Sequence, residues 1–251
     1  MGARAWIGRR IGDRSGLVTV AGGVGRGLVM GRALASAEYA DGTNELAVQE
    51  AIRDSLVPGS VFYDVGANVG FFGLIAARIV GPTGAVYAFE PVAEVAAEAR
   101  ANAERNAIEN LHVVEAAASD RTGRASLIVT RHPGGATLSG ADAGDDATGT
   151  VGVATVRIDE LVASGEIRPP DSVKIDVEGV ELEVLDGMGD TLTRHRPVVV
   201  CELDAATAPG VEDKVGRVTE RLEALGYGVS PLAPAYAGTG WHVVHVVATP
   251  R

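Results

Sequence analysis

Short apolar runs alternate with longer amphipathic stretches through the middle of the chain. This alternation predicts strands that are each followed by a helix, because a buried strand and a one-sided helix leave these two signatures. The predicted strands are 61–65, 85–89, 111–116, 172–177 and 197–202, and the predicted helices are 70–80, 92–107, 180–187 and 212–226. Strands connected through helices pair in parallel, so the pattern predicts an α/β fold.

The chain before this core has a pattern of its own. Leu17 to Met30 places two apolar pieces around a glycine-rich stretch, which predicts a hairpin. We expect it to lie in an N-terminal extension, residues 1–40, that acts as a cap or a dimer contact. Asn44 to Leu56 is amphipathic and predicts a helix that brings Glu45 or Glu50 near the functional site.

The chain after the core ends in two further apolar segments. Tyr227 to Leu232 and His242 to Thr249 predict antiparallel strands that close the sheet, so residues 41–251 are expected to form one domain. Residues 131–150 interrupt this domain with a small, polar, glycine-rich stretch that lacks periodicity. Loops of this length are usually functional or disordered. We therefore expect a mobile loop that covers the substrate pocket.

Composition narrows the class of protein. The 251 residues are 46% hydrophobic and carry a net charge of −11, which disfavours nucleic acid and anionic membrane as partners. Cys201 is the single cysteine and lies in an apolar run, so we expect a buried core residue. The arginine-rich N-terminus is followed by glycines rather than by an apolar helix, so we expect a cytoplasmic protein.

Candidate chemistry begins at the turn after the first core strand. The run from Asp64 to Gly70 alternates as G-x-N-x-G, with Gly66, Asn68 and Gly70, and the next strand ends in Glu90. Glycines permit tight turns and close approach of a ligand, and an acid at the end of the second strand accepts hydrogen bonds from ribose hydroxyls. The layout predicts a nucleoside site at the carboxyl edge of a parallel sheet.

Two cofactors fit such a layout. A nicotinamide dinucleotide requires G-x-G-x-x-G, so that backbone amides hold its pyrophosphate. Here the middle glycine is replaced, and the carboxylate of Asp64 stands where amides would be needed. A cationic nucleoside without phosphate, S-adenosylmethionine, suits this arrangement better, with Glu90 on the ribose and Asp64 near the amino group.

Five blocks in order carry a family resemblance between Asn44 and about Leu203. They are Asp-Val-Gly-Ala-Asn-Val-Gly (64–70), Phe-Glu-Pro (89–91), Asn102 with Asn106, Ala-Ser-Asp (118–120) with Gly123, and Val-Arg-Ile-Asp-Glu-Leu (156–161) followed by Val-Lys-Ile-Asp-Val-Glu-Gly-Val-Glu (173–181). The chain in this region resembles the FkbM-type methyltransferases, a branch of the class I enzymes that use S-adenosylmethionine.

The resemblance implies a doubly wound, Rossmann-like sheet of seven strands, mostly parallel with the last strand antiparallel. It implies methyl transfer to a small molecule, most often to a hydroxyl of a sugar, polyketide or other natural product. It also implies that Ser119 and Asp120 border the adenine. The expected cofactor-binding residues are therefore Asp64, Gly66, Asn68, Gly70, Glu90, Ser119 and Asp120.

A base is needed when the acceptor is an alcohol, because its proton leaves as the new bond forms. Lys174, Asp176 and Glu178 occupy alternate positions of the fourth strand and would share a face if the strand continued. Asp176, Glu178 and His132 are the expected catalytic residues, whereas Lys174 is expected to be structural. His195 is assigned to a solvated loop, and His242 and His245 are assigned structural roles.

Several alternatives stay open at this point. No metal site is required, but a magnesium ion held by Asp176, Glu202 and Asp204 would bind a chelating diol. N-methylation of an amine or guanidine is the nearest alternative activity, favoured by loop acids Asp142, Asp145 and Asp146. An NAD-dependent oxidoreductase and a non-catalytic nucleoside-binding protein are the alternatives of other classes, and a homodimer is an open option.

Overall fold

The computed structural model describes residues 16–130, 136–138, 147–235 and 242–251. Its centre is a seven-stranded sheet, in which strand order and chain order differ as expected of crossover connections. In spatial order the strands are β12 (Tyr227–Pro231), β13 (His242–Pro250), β11 (Val198–Ala205), β10 (Ser172–Ile175), β3 (Val61–Val65), β4 (Ala85–Phe89) and β5 (Leu111–Val114).

Pairing within this sheet confirms the expected fold class. Strands β5, β4, β3, β10 and β11 pair in parallel, while β13 is antiparallel to both β11 and β12. All five residues of β3 are buried, as expected for a strand covered on both faces. Strand β5 ends at Val114, earlier than predicted, because the chain leaves this sheet there.

Helices cover both faces of the sheet, and each face has its own apolar core. The helices are α1 (Ala37–Asp41), α2 (Leu46–Ser55), α3 (Phe71–Val80), α4 (Ala93–Arg105), α5 (Ile158–Ala163), α6 (Glu181–Gly187), α7 (Gly189–His195) and α8 (Ala208–Ala224). His195 is the last residue of α7, so its assignment to a loop was wrong. Cys201 is fully buried in one core, as expected.

The N-terminal hairpin is tied to the core by asparagine side chains. Strands β1 (Leu17–Thr19) and β2 (Val29–Gly31) pair in antiparallel fashion. The Asn106 side chain accepts from the Val29 amide at 2.8 Å and donates to its carbonyl at 2.7 Å. Asn102 accepts from the Gly31 amide and donates to the Val69 carbonyl, both at 2.9 Å. The hairpin is thereby linked directly to the glycine turn.

A second, four-stranded sheet overlaps the segment 131–150, for which the sequence predicted a loop. It comprises β6 (Ala117–Ala118), β9 (Ala147–Val156), β7 (Gly123–Thr130) and β8 (Ala136–Leu138), in that spatial order. The segment 131–150 therefore contains β8 and the start of β9, which corrects the prediction of a structureless loop. His132 and the loop acids Asp142, Asp145 and Asp146 lie outside the described residues.

In the part of the chain that the structure describes, no helix has both the length and the apolar character needed to span a membrane.

Candidate functional site

The glycine turn joins β3 to α3 and requires left-handed backbone at three positions. Gly66, Asn68 and Gly70 have φ of 81°, 50° and 84°. The amides of Gly66 and Ala67 both donate to the Phe89 carbonyl at 3.0 Å, which binds the turn to the end of β4. A side chain at Gly66 would collide with the backbone carbonyl of Asp176. Glycine is therefore needed there for packing against β10, and not only for approach of a ligand.

Glu90 follows β4 and is oriented entirely by backbone amides. Its Oε2 accepts from the Asn68 amide at 3.0 Å and its Oε1 accepts from the Val92 amide at 2.8 Å. The residue is 7% exposed, and burial raises its pKa to about 7, although the two amides act in the opposite direction. Each carboxylate oxygen has a second lone pair, so Glu90 retains capacity for further donors.

Asp64 is the most isolated acid of the site. It is fully buried in β3, and within the described residues neither of its carboxylate oxygens has a hydrogen-bond partner. Burial raises the pKa of Asp64 to about 6, against the opposing effects of the Lys174 ammonium and the Gly73 amide. A buried acceptor without a partner costs about 1–3 kcal/mol, so this position is suited to a ligand that supplies donors.

Lys174 and Asp176 form a buried ion pair beside Asp64. The ammonium of Lys174 lies 2.8 Å from Asp176 Oδ2 and 4.5 Å from the centre of the Phe72 ring. Burial alone would lower the pKa of Lys174, but Asp176 and the neighbouring acids outweigh it and raise the pKa. The Lys174 side chain is 2% exposed and that of Asp176 is 25% exposed, so the acid is the member that solvent reaches.

Glu178 does not continue the alternation of Lys174 and Asp176. Strand β10 ends at Ile175, and Glu178 adopts a left-handed φ of 52° in the turn that follows. Burial, together with Asp176 and Asp204, raises the pKa of Glu178 to about 9, and Glu178 and Asp204 share a hydrogen bond. Glu178 is thus protonated at neutral pH and can donate a hydrogen bond more readily than it can accept a proton.

His245 brings together residues from both ends of the chain. Its Nε2 lies 2.7 Å from Glu202 Oε2 and 3.2 Å from Glu45 Oε2, and the three residues are largely buried. Burial would lower the pKa of His245, but the two carboxylates outweigh it and raise the pKa to about 9. Among the described residues, these three form the group whose ligand atoms all lie within 4.8 Å of one another.

The predicted metal set of Asp176, Glu202 and Asp204 does not form such a group. Asp176 is paired with Lys174, and Asp204 lies 3.5 Å from the Lys214 ammonium. Glu202 turns instead toward His245, a histidine that was expected to be only structural.

Ser119 and Asp120 follow β6 at the border of the two sheets. Ser119 is buried, and its hydroxyl lies 3.2 Å from Asp120 Oδ1. Asp120 itself is exposed and pairs with Arg121 at 3.2 Å. The structure therefore places Ser119 and Asp120 at the edge of the site, and not among the acids Asp64, Asp176 and Glu202.

Tyr39 is a site residue that the sequence analysis missed. Its ring stacks on Phe71 with 4.6 Å between ring centres, next to the glycine turn. Burial raises the pKa of its hydroxyl, and Glu45, Lys174, Asp176 and Asp64 all act on it electrostatically. Tyr39 lies in the short stretch Ala37–Asp41, which also holds two acids, and this stretch gave no periodic signal that could have revealed this role.

Comparison with known proteins shows which family this chain is similar to. The model of the methyltransferase FkbM domain matches residues 64–229. The 31-O-demethyl-FK506 methyltransferase FkbM of Streptomyces tacrolimicus is 32% identical over 75% of this chain and 81% of its own length. The hexuronic acid methyltransferase AglP of Haloferax volcanii is 30% identical over 65% of this chain and 62% of its own length.

Solved structures agree on the fold. A methyltransferase FkbM from Methylobacillus flagellatus superposes with a TM-score of 0.52 at 15% identity, over 80% of this chain and 51% of that one. A Streptococcus mutans protein in complex with SAH gives 0.51 at 11% identity, over 80% and 94% of the two chains. With the match over 64–229, these findings set aside the nicotinamide and non-catalytic alternatives, and the chain belongs to the FkbM family of S-adenosylmethionine-dependent methyltransferases.

Proposed function

We propose that this protein transfers a methyl group from S-adenosylmethionine to a hydroxyl of a small molecule that carries sugar-like or polyketide-like oxygens. The names of its relatives support this class of acceptor. They include a 31-O-demethyl-FK506 methyltransferase, a hexuronic acid methyltransferase and a 2-O-methyltransferase from Sinorhizobium fredii, the last 29% identical over 63% of this chain and 72% of its own length.

The residues at the glycine turn fit the cofactor. Glu90 has spare acceptor capacity for two ribose hydroxyls, and its carboxylate is already fixed by two amides. Asp64 is a buried acceptor that lacks donors, which an amino group would supply directly or through water. Bound S-adenosylmethionine would contribute an activated methyl group on a sulfonium. Gly66, Asn68 and Gly70 shape the turn, and Ser119 and Asp120 are proposed to border the adenine.

Asp176 is the residue that we propose as general base. It is the accessible member of the buried pair with Lys174, and the ion pair fixes its orientation. Glu178 is less suited to accept a proton, because its pKa is about 9 and it is already protonated at neutral pH. Its one proton is engaged in the hydrogen bond with Asp204, so Glu178 is proposed to position the acceptor by accepting a hydrogen bond on its remaining lone pairs. His132 remains a prediction, since it lies outside the described residues.

An amine acceptor is the second candidate. The carboxylates of Glu45, Asp64, Asp176 and Glu202 all act electrostatically on Lys174, and this excess of acids over that lysine favours a cation. Magnesium is not part of either proposal, because Asp176 and Asp204 are each held by a lysine. The cytoplasmic location and a homodimer also stay predictions.

A transfer assay with labelled methyl cofactor tests the proposal. The acceptor panel would contain uronic acids, deoxysugars and macrolide diols, with primary amines and guanidines as the competing class. Label incorporated into a hydroxyl-bearing acceptor, and lost in the Asp176→Asn variant, is the expected result. Incorporation only into amines would replace the first candidate by the second.

A further inference from the structure

The contact between His245 and its two carboxylates has more acceptors than donors. A single ring nitrogen, Nε2, faces Glu202 Oε2 and Glu45 Oε2 at 2.7 and 3.2 Å. That nitrogen carries at most one proton, so it cannot give a linear hydrogen bond to both oxygens at once. A cation larger than a proton can satisfy all three atoms together.

The separations of the three ligand atoms are close to those expected around a metal ion. Ligand atoms at about 2.1 Å from one ion lie roughly 3.0 to 3.4 Å apart in octahedral or tetrahedral arrangements. The separation of His245 Nε2 from Glu45 Oε2, 3.2 Å, falls within this range, whereas that from Glu202 Oε2, 2.7 Å, is shorter; all three ligand atoms lie within 4.8 Å of one another. Small movements of these side chains would therefore complete the coordination.

The surroundings of the three residues support the same conclusion. Asn44 Nδ2 donates to the other oxygen of Glu45 at 2.9 Å, which turns Glu45 Oε2 toward His245. Partners of this kind hold the ligands of known metal sites in position. Asn44, Glu45 and His245 are buried, so the geometry is fixed by packing rather than by chance at the surface.

The local charge balance is negative. Glu45, Asp64, Asp176 and Glu202 act electrostatically on Lys174, so four carboxylates face one ammonium. Buried charges in folded proteins are paired or bound to metal, and a divalent cation would offset part of this negative charge.

We propose that Glu45, Glu202 and His245 bind a divalent transition-metal ion. One imidazole and two carboxylates are suited to manganese or zinc, whereas magnesium prefers oxygen ligands alone. Three protein ligands leave further coordination positions for water or a ligand. The site joins the start of α2 to β11 and β13, and its existence does not depend on which acceptor the enzyme methylates.

Calorimetry on chelator-treated full-length protein, with MnCl₂ and ZnCl₂ as separate titrants, tests this site. We expect one equivalent of manganese or zinc to bind and MgCl₂ to bind at least 10-fold more weakly. Glu202→Gln and His245→Gln should each weaken binding by at least 10-fold. His112→Gln is the matched control. His112 is an exposed histidine on β5, and β5 is the edge strand at the opposite end of the strand order from β12 and β13.

Folding of each variant is checked separately by its affinity for S-adenosylhomocysteine, which uses the glycine turn. If His245→Gln fails to fold, metal binding is tested instead with Glu45→Gln and with the manganese relaxation signal of the wild-type protein. Absence of saturable binding of both ions to the wild-type protein would overturn the proposal. Equal binding by wild type and a folded His245→Gln variant would also overturn it.

Discussion

The two halves of the site are built in different ways. At the ends of β3 and β4, Glu90 is held by the amides of Asn68 and Val92. Val92 is two positions along the chain, and Asn68 lies in the turn after the neighbouring strand β3. At the ends of β10, β11 and β13, the acids are held by side chains, and His245 meets Glu45 across 200 positions. The first half is a backbone cradle, and the second is an assembly of buried charges.

This difference has a physical consequence for what each half tolerates. Backbone amides keep their positions when one side chain changes, so the cradle should respond to a substitution locally. The charge assembly is coupled, because Lys174 senses Asp176, Glu45, Asp64 and Glu202 together. Within such networks the effects of substitutions are not additive.

The largest effect is expected from Asp176→Asn. If Asp176 removes the acceptor proton, loss of the base should lower kcat by about 100-fold or more. Affinity for S-adenosylhomocysteine should stay within a few-fold of wild type, because Asp176 belongs to the other half of the site. Single-turnover kinetics beside calorimetry separates the two quantities. A variant with wild-type kcat would remove Asp176 from the proposed mechanism.

A substitution in the cradle backbone should act on folding rather than chemistry. Gly66→Ala places a methyl group against the Asp176 carbonyl in addition to the strain of φ 81°. Gly27 has φ 86° and open space around it, so Gly27→Ala is the matched control for strain alone. We expect Gly66→Ala to lower the free energy of unfolding by about 2–3 kcal/mol more than the control. Equal losses in urea denaturation would contradict the close contact with β10.

Stability should fall as the pH rises. The folded-state pKa of Glu90 is raised from 4.5 to about 7, so the folded protein holds a proton that the unfolded chain releases. The contribution of Glu90 to the free energy of unfolding is complete below about pH 4.5. It is lost as the pH rises through 7, and the loss is about 3 kcal/mol at most. Thermal unfolding between pH 4.5 and 8 measures this, and Glu90→Gln should flatten the slope. A wild-type protein that gains stability over this range would contradict the burial of Glu90.

The smallest of the expected effects concerns the cofactor. Glu90→Ala should weaken binding of S-adenosylhomocysteine by about 1–3 kcal/mol, the cost of losing hydrogen bonds to a charged group. Glu104→Ala, on the exposed face of α4, is the control and should bind as wild type does. Calorimetry at pH 8, where Glu90 is ionised, gives the cleanest comparison. Unchanged affinity would show that Glu90 does not hold the ribose.

The sequence predicted the cradle better than the charge assembly, because the residues of the charge assembly are much further apart along the sequence. Gly66, Gly70 and Glu90 follow strands whose apolar runs are visible in the sequence, so their meeting at one sheet edge can be deduced. The partnership of Glu45, Glu202 and His245 depends on β13 pairing with β11, which brings His245 opposite Glu202. No local pattern specifies that register, and for this reason His245 was assigned a structural role.

The second sheet was missed for a related reason. Strands β7 and β9 pair with each other across the segment 131–146, so β7 is followed by further strands rather than by a helix. The alternation of strand and helix that revealed the main sheet is absent there. Glycine-rich composition then favoured a loop, although tertiary pairing overrides that propensity.

A crystal structure of the protein with S-adenosylhomocysteine tests the division of the site most directly. The account predicts ribose hydroxyls at hydrogen-bonding distance from Glu90, the amino group on the side of Asp64, and the sulfur facing Asp176. A nucleoside bound away from Glu90, or a sulfur directed away from Asp176, would contradict it.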